Sequence, residues 1–150
     1  MPTNGFKRIL AAFDGSDDSV KAVKRACALA KEFNSTLTVL NVYTLPALAY
    51  AAPGPMPQID FSALEAAAAS KAKEVLDEAV VVAKEEGVTA KVEVQEASSV
   101  VQAIVEFAVD GRFDLIVMGT RGMSGFRKLL VGSVSNGVVS HAQCSVLVVR

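Results

Sequence analysis

"DLIVMGTRGMSGFRKLLVGSV", residues 114–134, decides the fold. Leu115 to Met118 form an unbroken apolar run, the pattern of a strand covered on both faces in a parallel sheet. Four glycines follow, at 119, 122, 125 and 132, and Gly132-Ser133 opens a segment of helical character. The chain therefore leaves the carboxyl end of a buried strand, loops out, and returns at a helix N-terminus. Strand, loop and helix in that order are half of a βαβ unit.

The rest of the chain repeats that unit. Apolar runs at 8–13, 36–42, 90–95 and 145–149 join 114–119 as five expected strands. Between them, helix-period segments cover 17–33, 61–86, 99–109 and 133–142. The expected apolar faces carry Val20, Val23, Cys27 and Ala30 in the first and Phe61, Leu64, Ala68, Val75, Ala79 and Val82 in the second. The third carries Val101, Ile104, Val105 and Phe107. The alternation predicts a single α/β domain, an open five-stranded parallel sheet with helices on both faces. At 150 residues and 51% hydrophobic, the chain is one domain long and has enough apolar material for a core.

Residues 43–60 depart from the pattern, with four of the five prolines and no period. Either a surface insertion or a flap over a ligand site accounts for so long a connection. At the strand edges, "KVEVQE" alternates and tolerates water, whereas "SVLVVR" carries no charge before Arg150. An apolar edge invites pairing, so a homodimer through residues 145–149 is expected.

Composition excludes several functions. A net charge of -1 argues against nucleic acid or an anionic membrane as partner. No apolar stretch is long enough for a bilayer, and the N-terminal apolar run stops at Asp14, so a cytoplasmic protein without a signal peptide is expected. Cys27 and Cys144 lie far apart in apolar surroundings and are expected to be buried free thiols. The acceptor pattern at Asn34 has no secretion signal beside it and is expected to be chance.

The glycines suggest a phosphate cradle. The P-loop needs Gly-Lys and the dinucleotide fingerprint needs G-x-G, and the chain contains neither. What stands is G-x2-G at Gly119 and Gly122, then Gly132 followed by Ser133. Backbone N–H groups at the helix start would face an anion. Ser133 and Ser135 offer hydroxyls, and Arg121, Arg127 and Lys128 offer charge. In open α/β sheets the ligand lies where the winding reverses, commonly between the first and fourth strands. Asp14, at the end of "ILAAFD", would then lie beside Gly119. Its carboxylate suits ribose hydroxyls or a nucleotide-bound magnesium. Asp14 falls early for a helix cap, whereas Ser16 and Asp17 fit the cap and first turn.

With these residues in view, the chain resembles the universal stress protein family, in its UspA-like, ATP-binding subclass. The subclass motif G-x2-G-x9-G-[ST] reads here "GTRGMSGFRKLLVGS", and "ILAAFDGS", "LNV" and "CSVLVVR" are similar to family segments. The resemblance implies a Rossmann-like, adenine nucleotide alpha hydrolase-like fold with strand order 3-2-1-4-5 and dimers on the last strand. It implies ATP with Mg2+ or Mn2+ as cofactor. Under it Ala12 lines the base pocket, Asp14 holds the ribose, and the Val42 backbone reads the adenine edge. Gly119 passes the sugar, Gly122 and Arg121 lie with the phosphates, and Gly132, Ser133, Val134 and Ser135 bind the phosphate tail. One departure is "QEASSVV", with Ala97 and Ser99 where many relatives carry a Gly-x-Pro-like turn.

Catalytic machinery is not legible. His141 is the single histidine and falls at a helix end, and one His with two distant Cys makes neither a triad nor a zinc site. Asp114 starts a strand, at the opposite end of the sheet from the phosphates. Three functions fit: a nucleotide-responsive regulatory module in stress response, a slow ATPase or nucleotidyl-transfer enzyme on the same fold, or a dimeric scaffold without nucleotide. The complete motif favours the first.

Overall fold

The computed structural model describes residues 5–45, 60–120 and 132–150. Nine elements alternate: β1 (Arg8–Ala12), α1 (Asp17–Phe33), β2 (Thr36–Tyr43), α2 (Phe61–Glu85), β3 (Lys91–Glu96), α3 (Val100–Asp110), β4 (Leu115–Gly119), α4 (Ser133–His141) and β5 (Ser145–Val149). The strands form one parallel sheet in the order β3-β2-β1-β4-β5.

Local chemistry sets the boundaries. The Ser16 side chain caps α1 by accepting from the Ser19 N–H, and Asp17 and Asp18 occupy the first turn, where carboxylates offset the positive end of the helix dipole. Asn34 stops α1 in the left-handed region, φ 54°. Asp60 caps α2, and Ser99 caps α3 through the Gln102 N–H, so the departure at "QEASSVV" leaves that helix start intact.

Two apolar layers hold the sheet. On one face α1 and α2 pack Val23, Cys27, Leu76 and Ala79 against Ile9, Ala11, Val39 and Val117. On the other, Ile104 and Ala108 of α3 and Val138 of α4 pack against Leu10, Leu40, Ile116 and Met118. Two expectations need correction. Phe61 is 41% exposed, because burial along α2 begins only at Ala72. Cys144 is half-buried where Cys27 is fully enclosed, since Cys144 precedes an edge strand and Cys27 lies on the face of α1 that packs against the sheet.

Burial first, and then the Glu86 carboxylate, push the Cys27 thiol from near 9 up to about 11, with Lys31 opposing. In the unfolded chain the thiol ionises earlier than in the folded one. Its contribution to stability is therefore complete below pH 9 and lost as pH rises toward 11, at about 1.4 kcal/mol per unit. Urea midpoints of the parent should fall more steeply above pH 9 than those of Cys27→Ala. Parallel curves would show that the thiol stays protonated equally in both states.

Candidate functional site

β1 is the point where the winding reverses. The chain moves from β1 to β2 and β3 on one side, then crosses back to β4 and β5 on the other. The Ala11↔Val117 register sets the carboxyl ends of β1 and β4 side by side, where a crevice opens in this class of sheet.

The β1 wall is tightly built. Past Ala12, the Phe13 N–H still donates to the Leu40 carbonyl at 2.9 Å. The buried Asn41 side chain then donates from Nδ2 to the Phe13 carbonyl at 2.8 Å. This amide clips the end of β1 to β2 directly before Asp14. Gly15 follows in the left-handed region, φ 86°, which turns the chain into α1. Asp14 is exposed, and its Oδ1 accepts from the Ser16 N–H at 2.9 Å. It is thus held in a turn ahead of the helix cap, a position an N-cap residue does not have.

The β4 wall begins with Gly119. A Cβ on this residue would lie 2.8 Å from the Asp18 backbone carbon and Cβ, so β4 and the first turn of α1 are in backbone contact here. Thr120, 3% exposed, donates from Oγ1 to Asp18 Oδ2 at 2.9 Å, and its N–H donates to the Val149 carbonyl of β5. Its carbonyl accepts from the Gly132 N–H. Gly132 is the N-cap of α4, φ -69° and ψ 167°, with no side-chain cap. The first intrahelical bond runs from the Asn136 N–H to the Gly132 carbonyl, so the N–H groups of Ser133, Val134 and Ser135 precede it. This is an anion-accepting end of a helix.

Ser135 differs from its expected role. Its hydroxyl donates to the Gly119 carbonyl at 2.6 Å, so its one proton fastens α4 to β4, and what it can offer an anion is its backbone N–H. Ser133 is exposed. Val42 lies near the end of β2 beside Tyr43. Burial, then the Glu65 and Glu96 carboxylates, raise the Tyr43 phenol above its ordinary value. Arg121, Gly122, Arg127, Lys128 and most of the 43–60 connection lie outside the described residues. Asp114 lies at the other end of the sheet, where its carboxylate accepts from the Lys7 and Arg8 N–H groups. The His141 Nδ1 lies 2.8 Å from the Gly137 carbonyl one turn back in α4.

Among the described residues, Ala12, Asp14, Gly119 and Gly132–Ser135 thus gather at one end of the sheet, at the carboxyl ends of β1 and β4. The residues missed from sequence are Asn41, Asp18 and Thr120. Asp18 reads as a helix-start carboxylate, which it is. Nothing local signals its second bond to a residue 102 positions away.

Residues 5–150 match the model of the universal stress protein family. A universal stress protein of Methanocaldococcus jannaschii is 36% identical over 148 residues, covering 98% of this chain and 84% of that protein. A universal stress protein solved in complex with cAMP superposes with TM-score 0.70 at 28% identity, covering 98% of both chains. One from Archaeoglobus fulgidus, in complex with dAMP, gives TM-score 0.66 at 25% identity, covering 96% of this chain and 98% of that one.

Proposed function

The chain belongs to the universal stress protein family, and from that premise we propose that it binds ATP, with Mg2+ or Mn2+ on the nucleotide, in the β1/β4 crevice. The observation that carries this is the start of α4. Gly132 has backbone angles that any residue adopts, and no side chain caps the helix behind it. A glycine that the conformation does not require, at an uncapped N-terminus, is suited to close approach by phosphate oxygens. The N–H groups of Ser133, Val134 and Ser135 would hold those oxygens. Asp14, exposed and oriented by the Ser16 N–H, would accept from the ribose hydroxyls, with Ala12 and the Val42 backbone at the base. When bound, the divalent cation neutralises phosphate charge beside Asp14.

Relatives solved with cAMP and dAMP support an adenine nucleotide as the ligand class. The triphosphate is inferred from the G-x2-G-x9-G-[ST] motif. The protein would act as a nucleotide-responsive regulatory module in the cytoplasm and not as a dedicated enzyme. A homodimer through the exposed edge of β5 is part of the same proposal.

Nucleotide-free protein titrated with ATP and magnesium, with GTP and AMP alongside, tests it. ATP should bind well ahead of both, and the protein should elute as a dimer. Asp14→Ala should weaken ATP by about 10- to 100-fold, the range for a lost hydrogen bond to a charged group. Equal binding of GTP would remove the adenine assignment, and no binding at all would leave the scaffold function in its place. A monomer at micromolar concentration would remove the dimer.

A further inference from the structure

The bonds around Thr120 have a geometry that neither the fold nor the motif demands. Thr120 directly follows β4, and Gly132 is the N-cap of α4. The Gly132 N–H donates to the Thr120 carbonyl, so the end of β4 and the start of α4 are joined directly. The Thr120 N–H is bonded to Val149 of β5. The Thr120 side chain is buried, and its hydroxyl donates to Asp18 Oδ2 at 2.9 Å. Asp18 lies in the first turn of α1, just past the Asp14–Gly15–Ser16 turn. Lys21 lies 3.9 Å from the other carboxylate oxygen, Oδ1.

We infer that Asp18 and Thr120 are a positioning pair for the nucleotide site: their hydrogen bond, together with the bond from the Gly132 N–H to the Thr120 carbonyl, fixes the start of α4 relative to the turn that carries Asp14. The inference rests on the proposed nucleotide binding and deepens it. Asp14 belongs to the β1–α1 turn and the proposed phosphate donors to the first turn of α4, and these segments are far apart in the chain. A nucleotide that spans both needs them in fixed register. The backbone contact of Gly119 with Asp18 brings the two segments together. The side-chain bond one residue later holds Thr120, whose carbonyl in turn accepts from the Gly132 N–H at the start of α4. A hydrogen bond is directional, which suits that task better than apolar contact. Neither side chain is required to touch the ligand.

Valine matches threonine in shape and lacks the hydroxyl. Thr120→Val should lower ATP affinity about tenfold, and Thr120→Ser, which restores the donor, should return it to within about twofold of the parent. The loss should fall on the phosphate-dependent part, so the ratio of ATP to adenosine affinity drops, which a general loosening of the fold would not produce selectively. Asp18→Ala should give the same loss, and Asp18→Ala/Thr120→Val no more than either alone. Parent protein is titrated first. If it fails to bind ATP, the proposed function falls, and the inference falls with it. If the parent binds and folded Thr120→Val binds equally well, the inference alone is overturned. Should Thr120→Val not fold, Asp18→Ala decides, with unchanged ATP affinity in that variant overturning the pair.

Discussion

Gly132→Val is expected to lower ATP affinity by at least about 100-fold, which is about 2.7 kcal/mol, while the protein stays folded. At φ -69° and ψ 167° the backbone of residue 132 is within reach of a β-branched side chain. The backbone conformation therefore accepts the substitution, and the expected cost to the fold is that of a poorer N-cap, about 1 kcal/mol. Its effect on a ligand is larger. Phosphate oxygens accept from helix-start N–H groups at about 2.9 Å, and a branched side chain at the N-cap occupies the space they need. Titration calorimetry and urea unfolding on the same sample separate the two effects. The motif assigns Gly122 to the same surface, and Gly122→Val is expected to behave alike. Retention of ATP affinity within about threefold in both variants would remove the phosphate assignment.

The reverse outcome is expected at Gly119. Alanine there sets a methyl 2.8 Å from the Asp18 backbone carbon and 3.0 Å from its carbonyl oxygen. The obstacle is a helix backbone, which no rotamer change can move aside. Gly119→Ala should destabilise the protein by about 2 kcal/mol and Gly119→Val by about 3 kcal/mol, the upper part of the range for overpacking. Urea midpoints of nucleotide-free protein measure this directly, and a change below about 0.5 kcal/mol for Gly119→Val would mean that α1 yields without cost. The first glycine of the motif thus serves helix–strand packing, whereas Gly132 is the one we propose for the ligand. One variant should lose stability and the other should lose binding, although both replace a motif glycine with valine.

Much of this molecule is legible in local pattern. The continuous apolar runs place β1, β4 and β5 to within a residue or two, because strands covered on both faces leave no polar position to confuse the period. Ser16 and Ser99 mark their helices because capping is a bond between near neighbours. Phe61 misleads for the same reason. Helical periodicity assigns it to a face without knowing that burial along α2 begins at Ala72. The candidate site is legible as a list, since the glycine spacing and Asp14 lie in short motifs. What each member does is less so. The Ser135 hydroxyl looks like a phosphate donor and instead holds the Gly119 carbonyl.

The sequence by itself determined the alternation of strands and helices and the parallel sheet, and it marked the segments of the candidate site, all through hydrophobic period and motifs a few residues long. Only the tertiary structure decided that Asn41 clips β1 behind Asp14, that Gly119 is glycine because α1 touches it, and that Thr120 holds Asp18. Those facts depend on distances between segments far apart in the chain. A hydrogen bond acts over about 3 Å of space and is indifferent to the number of residues between its partners.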